Sequence, residues 1–286
     1  MKVSGFTFIR NGNILGYPFV QSIKSALPLC DEFIVAAGAS DDDTLQALRA
    51  INDPKLRIIE TTWNEKMIDR GYVYGQQKMI AQFNCTGDWA FYLEGDEILH
   101  ESELDIIRNS MEKHINNQDI EALAFDYYHF YASPDWHATG GYRQAPRIIR
   151  NSIRSIAPDG LFFVVMDKNK QGRYPRAALT GAHIYHYGNV RSVAFMNERN
   201  QRVAKYWGKA PTVFTYDHVD PQEIIPFTGT HPAIIQPWLA SDAAEHQFIP
   251  DPNFKPDSRQ KRHRMRFALE KWFGLELSKK HFTLVK

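Results

Sequence analysis

The residues of this 286-residue chain best suited to chemistry lie in one short run, Trp89–His100, read from Gly87 as GDWAFYLEGDEILH. The apolar stretch AFYL leads directly into Glu94-Gly95-Asp96-Glu97. Carboxylates spaced two apart at the C-terminal end of a strand can converge on one hard cation, and Gly95 lets the backbone turn closely there. Mg2+ or Mn2+ held by one or two carboxylates keeps positions open for substrate phosphates, and can stabilise charge on a departing diphosphate. Taken alone, the same four residues would also make an ordinary acidic turn. Their place in the fold decides between the two.

Three other clusters carry chemistry. Ala39-Ser-Asp-Asp-Asp-Thr offers carboxylates that accept hydrogen bonds from sugar hydroxyls or a base N–H, or that cap a helix starting at Thr44. The segment GAHIYHYGNVRS places His183, His186 and Arg191 within nine residues. In a strand His183 and His186 point to opposite faces, so one of them can join a site, and His186 is the choice. Imidazole suits Mn2+ better than Mg2+, and Arg191 can clamp a diphosphate. The run FDYYHFYASPDWH from Phe125 is dense in aromatic and polar groups, and Arg143, Arg147 and Arg150 follow it. These arginines would meet an anionic ligand or line a solvated strand edge.

The elements that must position these residues alternate in the first hundred positions. Val3–Ile9, residues 32–37, 56–60 and 89–93 read as strands, and the segments between them carry helical spacing, with Pro18 placed for a helix start. This order predicts an α/β fold with a mostly parallel central sheet and helices on both faces. Ligands of such sheets bind at the C-terminal strand ends, where the loops at Arg10–Asn13, Ala39–Asp43 and Glu94–Glu97 fall. Beyond residue 100, strands are expected at 122–130, 144–150, 161–166 and 182–187, and a helix over 191–207. Residues 212–237 read as loop-rich. Met265, Ala268, Leu269, Trp272 and Phe273 recur at helical spacing, closed by Gly274. The expected division is a ligand-binding and catalytic unit over 1–210 and a loop-rich, helical extension over 211–286.

With the strands in this order, FTFIRNGN, IVAAGASDDDT and GQQKMIAQFNCTGDWAFYLEGDE resemble the N-terminal half of family-two glycosyltransferases of the GT-A fold, enzymes of bacterial glycan biosynthesis. The resemblance covers residues 3–110. It implies a Rossmann-like GT-A domain, a nucleotide-sugar donor with UDP as the default, Mn2+ or Mg2+, and a glycan or glycolipid acceptor. Asp96 falls on the family's usual metal ligand, with Glu94 in place of the preceding Asp. Lys78 stands where the family has Arg. Asp41 would contact ribose or base, with the backbone around Arg10 on the other side. The family brings a late histidine to the metal, a role implied for His186. An inverting transfer needs a group to take the acceptor's proton. Asp159 and Asp135 are the candidates, with Asp159 preferred because it lies between the acceptor-side strands and the late histidine. Two rivals remain: a sugar nucleotidyltransferase, although FTFIRNGN lacks the expected glycine-rich phosphate loop, and a non-catalytic carbohydrate-binding relative.

Composition narrows the setting. Hydrophobic residues make up 43% and charged residues 23%, enough for a large core. Only Cys30 and Cys85 are present, which fits a reducing, cytoplasmic compartment. The N-terminus does not read as a signal peptide, and no apolar run is long enough to cross a membrane. Net charge is +1, but residues 255–286 hold ten Lys/Arg against three Asp/Glu. The acidic body argues against nucleic acid as a partner. The basic helical tail would either pack on the body or contact the inner face of an anionic membrane.

Overall fold

The computed structural model describes residues 1–217, 219–245, 248–274 and 277–285. Strands and helices alternate as expected: β1 (Val3–Ile9), α1 (Phe19–Ala26), β2 (Glu32–Gly38), α2 (Thr44–Arg49), β3 (Leu56–Thr61), α3 (Tyr72–Gln82) and β4 (Trp89–Tyr92). The four strands pair in parallel in the order β3-β2-β1-β4. Their side chains alternate between two cores. Phe33 and Val35 join Phe19, Ile23 and Leu48 on one face, while Ile34 and Ala36 join Phe6, Ala81 and Tyr92 on the other. Burial on both faces is why these strands read as unbroken apolar runs.

Purely parallel pairing ends at β4. After β5 (Glu97–Ile98) and α4 (Leu104–His114) come β6 (Ala122–Tyr131), β7 (Ser133–Ala138) and β8 (Gln144–Arg150). β8 lies antiparallel between β4 and β6, and β7 extends the sheet antiparallel to β6. β9 (Ser155–Ile156), β10 (Val164–Met166) and β11 (Gly172–Arg173) form a separate three-stranded sheet. The long β12 (Arg176–Asn189) runs parallel to β6 and antiparallel to β5. α5 (Val193–Val203) follows and ends in a 3-10 turn, Ala204–Trp207. Next come β13 (Ile224–Pro226), α6 (Gln236–Leu239), α7 (Ser258–Phe273) and β14 (Thr283–Leu284). β13 pairs with β7, and β14 returns to pair with β12, so the last part of the chain adds strands to the main sheet.

Several expectations need adjusting. The strand expected over 161–166 is confined to Val164–Met166, because the chain before it turns at Gly160 with φ of 81°. The strand expected over 182–187 spans all of β12, with an irregularity between Leu179 and His183 where Gly181 adopts φ of 80°. The loop-rich stretch holds β13 and the short helical turns around Ala233–Leu239. Arg150 lines neither a ligand nor a solvated edge. Its buried guanidinium donates to the carbonyls of His114, Ile115, Asn117 and Ile120 at 2.5–2.9 Å, closing the C-terminal end of α4.

Helix α7 is turned in an unexpected sense. Asp257 and Gln260 form a capping box at its start, and Gly274 closes it in the left-handed region. Its polar side faces the body: Arg264 pairs with Asp220, His263 with Glu223, and the buried Glu270 accepts from Arg143. The stripe of Met265, Leu269, Trp272 and Phe273 faces solvent, with Trp272 82% exposed. Desolvated ion pairs, rather than the apolar stripe, fix which side of this helix meets the sheet.

β12 is tied to the segment before α4 by His183. Glu103 accepts from the His183 backbone N–H and from Nδ1, each at 2.7 Å, and the imidazole stacks on Tyr128. The hydrogen bond to Glu103 outweighs burial and raises the pKa of His183. A pKa raised in the folded state gives stability that is complete below the unfolded value of ~6.5 and is lost as pH rises through the higher folded value. Urea unfolding at pH 6 and pH 9 should therefore show wild type losing more stability on going alkaline than His183→Gln. Equal losses in the two proteins would remove this coupling.

Candidate active site

The acidic turn is held from below by one arginine. Arg147, on β8, is buried, and its guanidinium meets the Glu97 carboxylate through Nε at 2.8 Å and Nη2 at 2.6 Å. Nη2 also donates to Glu94 Oε1 at 2.9 Å. Tyr127 Oη donates to Glu97 Oε1, and the Glu94 backbone N–H donates to Glu97 Oε2, so Glu97 is saturated by protein. Glu97 thus organises the turn, and Glu94 and Asp96 are left facing upward. Burial and the neighbouring Glu97 push the Glu94 carboxyl up to about 7 against the pull of Arg147. Burial also opposes charge on Asp96, but His186, then Arg191, hold it well below the ordinary carboxylate range.

His186 reaches Asp96 through strand pairing. β5 and β12 set His186 opposite Glu97, and the Tyr187 N–H donates to the Asp96 carbonyl at 2.8 Å. His186 Nε2 lies 3.5 Å from Asp96 Oδ1. Ligand atoms of Glu94, Asp96 and His186 all fall within 4.8 Å of one another. Gly188 completes the cradle: a Cβ there would lie 2.5 Å from His186 Nε2 and 3.1 Å from Asp96 Oδ2. Two carboxylates and one imidazole, in a place kept clear of side-chain bulk, fit Mn2+ or Mg2+. His183, on the opposite face, is committed to Glu103.

These residues lie on the wall of a cavity of about 510 Å³ at the C-terminal ends of the parallel strands. Arg10, Asp41, Glu94, Asp96, Asp159 and His186 all line it. Arg10 follows β1 and donates to the Ala39 carbonyl and Tyr206 Oη, pairs with Glu65 and lies over the Trp63 ring. Asp41 pairs with Arg202 at 2.8 Å and is otherwise largely open. Its neighbour Asp42 serves structure, accepting from the Ile14 and Thr44 N–H groups. Asp159 lines the cavity and accepts from the Leu161 N–H at 3.0 Å.

Two sequence candidates sit beneath the wall. Lys78 is fully buried, donates to the Gly160 carbonyl at 3.1 Å, and lies 3.8 Å above the Tyr92 ring. Burial, then Arg147, push its pKa well below the ordinary lysine value. Arg191 is also fully buried. It donates to the carbonyls of Leu15 and Gly188 and lies 3.8 Å from Asp96 Oδ2. Asp135 is exposed on β7 and lies outside the cavity lining. Arg199, Trp63 and Tyr206 also line the cavity, and His129 meets His186, although the sequence does not single them out. Arg199 had a signal, since it repeats at helical spacing from Arg191 and Arg202. The aromatic wall had none, because Trp63 and Tyr206 come from segments far apart in the chain.

No protein family and no curated protein matches the sequence. Among solved structures, the chain is similar to TarS of S. aureus at 16% identity and a TM-score of 0.41, over 70% of this chain and 38% of that one. A shorter form of TarS in complex with UDP gives 16% identity and a TM-score of 0.37, over 53% and 47%. Glucosyl-3-phosphoglycerate synthase from Mycobacterium tuberculosis, in complex with Mn2+, UDP-glucose and glycerol 3-phosphate, gives 17% identity and a TM-score of 0.33, over 44% of each chain. The chain spans less than half the length of each of these structures.

The ion pair under the turn is testable without a substrate. Arg147→Met leaves Glu97 buried without its cation and should cost about 3–5 kcal/mol in urea unfolding. Adding Glu97→Gln should recover a large part of that loss. Additive costs in the double variant would show that the two side chains do not act as a pair.

Proposed function

We propose that this chain is a metal-dependent glycosyltransferase of the family-two type, with a GT-A fold. It moves a sugar from a nucleotide-diphosphate donor, UDP-sugar by default, to a hydroxyl of a glycan or glycolipid with inversion. The observation that carries this reading is the convergence of Glu94, Asp96 and His186 at the parallel strand ends, on the wall of a cavity large enough for a nucleotide sugar. Residues 1–210 hold this machinery, and residues 211–286 extend it.

A divalent cation held by Asp96 and His186, with Glu94 beside them, would neutralise charge developing on the diphosphate leaving group. The protein supplies the rest. Trp63, Tyr206 and Arg10 offer stacking and hydrogen bonding at one end of the cavity, and Asp41 keeps acceptor capacity for a ribose hydroxyl. Arg199 faces the same space and adds positive charge for a diphosphate. Lys78 and Arg191 shape the wall from behind by holding the Gly160 and Gly188 carbonyls. Asp159 takes the acceptor hydroxyl's proton as the oxygen attacks the anomeric carbon opposite the leaving group. The placement of Asp135 outside the cavity favours Asp159 for this role.

Nucleotide sugars with Mn2+ should raise the melting temperature of the wild-type chain, and slow UDP release should accompany binding. Asp96→Asn should lose the Mn2+-dependent shift. Asp159→Asn should keep it while transfer falls by ~100-fold or more. Near-normal turnover in Asp159→Asn removes it as the base. Absence of both shift and release with every donor leaves a carbohydrate-binding relative of the fold.

The solvent-facing side of α7 supports a place of work at the inner, cytoplasmic face of a membrane, where a glycolipid acceptor would lie. Trp272, Phe273, Leu269 and Met265 are exposed beside Lys261, Arg262 and Lys271. This combination suits an anionic lipid surface. No helix among the described residues is long and apolar enough to cross a membrane, and both cysteines are free and buried. The chain should co-sediment with vesicles containing anionic phosphatidylglycerol at low salt, and Trp272→Ser/Phe273→Ser should weaken this. Equal recovery of both proteins in the supernatant would discard the membrane contact.

A further inference from the structure

His129 lies on β6 directly opposite His186 on β12, in register across a parallel pair. The two imidazoles stand nearly perpendicular, with centroids 5.0 Å apart, and their Nδ1 atoms are 2.9 Å from each other. One hydrogen must lie between these two nitrogens, and either ring could carry it. The other side of His129 decides. Its Nε2 lies 2.8 Å from the Tyr142 carbonyl oxygen, which only accepts, so Nε2 carries a hydrogen. The half-buried ring packs against Tyr127, Tyr142 and His186, at centroid distances of 4.8–5.0 Å, and no carboxylate pairs with it among the described residues. In such a place the neutral ring is favoured, and a neutral ring protonated on Nε2 has a bare, accepting Nδ1. The shared hydrogen therefore belongs to His186.

We infer that His129 is a positioning residue that fixes His186 in the Nδ1–H tautomer and so turns the Nε2 lone pair toward Asp96 and Glu94. The chain of bonds runs from the Tyr142 carbonyl through His129 to His186 Nδ1, and its free end is the nitrogen that lies 3.5 Å from Asp96 Oδ1. An imidazole bound to a metal through one nitrogen characteristically donates from the other to a fixed acceptor, which sets its tautomer and ring plane. Here the acceptor is a second imidazole, oriented in turn by main chain. The inference rests on the metal reading above for its purpose, but the tautomer itself does not depend on it.

The experiment uses three substitutions on the full chain. His129→Asn can place Oδ1 where Nδ1 stood and still accept from His186. His129→Gln reaches the Tyr142 carbonyl and lacks that acceptor, and His129→Phe keeps the ring volume without either bond. Mn2+ affinity is read by the loss of the free-ion paramagnetic resonance signal. The imidazole 15N shifts of His186 are read by NMR in metal-free protein, at an alkaline pH where the ring is neutral. The wild type should show His186 protonated on Nδ1 and bare on Nε2. His129→Gln and His129→Phe should bind Mn2+ about 10- to 100-fold more weakly, while His129→Asn stays near wild type. His186 protonated on Nε2 in the wild type, or wild-type Mn2+ affinity in both His129→Gln and His129→Phe, overturns the inference. Wild-type protein that binds no Mn2+ overturns the metal reading instead, and the NMR result then decides the tautomer separately.

Discussion

Glu97 is a fully buried carboxylate, and a buried charge survives only if its partners replace the water it has lost. Arg147 answers with two parallel hydrogen bonds, and Tyr127 and the Glu94 N–H take the remaining capacity. Much of the site follows from this. Because Glu97 points down into the ion pair, Asp96 points up, and because Arg147 has a third donor, Glu94 is held beside it. β8 must then lie next to β4, since Arg147 comes from β8. That contact is also where parallel pairing gives way to antiparallel. One desolvated pair thus sets the shape of the turn and the change in character of the sheet.

The second constraint is the meeting of β5 with β12. A two-residue strand has little stability of its own. Here it is secured by the Tyr187 N–H on the Asp96 carbonyl and by the pairing of Tyr185 with Ile98. The result joins a carboxylate from one half of the chain to an imidazole from the other. Arg191 reinforces the junction by holding the Leu15 and Gly188 carbonyls, so that the loop after β1 and the end of β12 share one buried cation.

Much of the parallel half was legible in the sequence, and the reason is physical. Strands buried on both faces show as apolar runs such as EFIVAA, and their order dictates which loops share an edge. That order places Asp41, Glu94 and Asp96 at one edge of the sheet, and Asp159 and His186 line the same cavity. The rest was hidden for specific reasons. Lys78 and Arg191 are buried cations that hold main-chain carbonyls, Arg191 standing beside Asp96 as well, and nothing in their spacing distinguishes such a role from ligand contact. Arg147 and Arg150 looked alike in RQAPRIIR, yet one neutralises a buried carboxylate and the other closes a helix. His129 sat in an aromatic strand whose pairing partner no periodicity reveals. The spacing of the stripe predicts the helix α7, but which side faces inward depends on Asp220, Glu223 and Arg143, which no local pattern names.

The wide separation in sequence between Asp96 and His186 also bears on the order in which the molecule can assemble. β1 with β2 and β2 with β3 join segments close together in the chain and can pair early. The contacts of β1 with β4 and of β12 with β5 and β6 close longer loops, and such contacts are slow to form because the entropy of closure comes before the gain. A nascent chain that has made only its first half carries the acidic turn without Arg147, and without the imidazole. Its carboxylates then lack both the counter-charge and the geometry of the finished site. The cluster of Glu94, Asp96 and His186 is therefore completed only when β12 has been laid across the sheet.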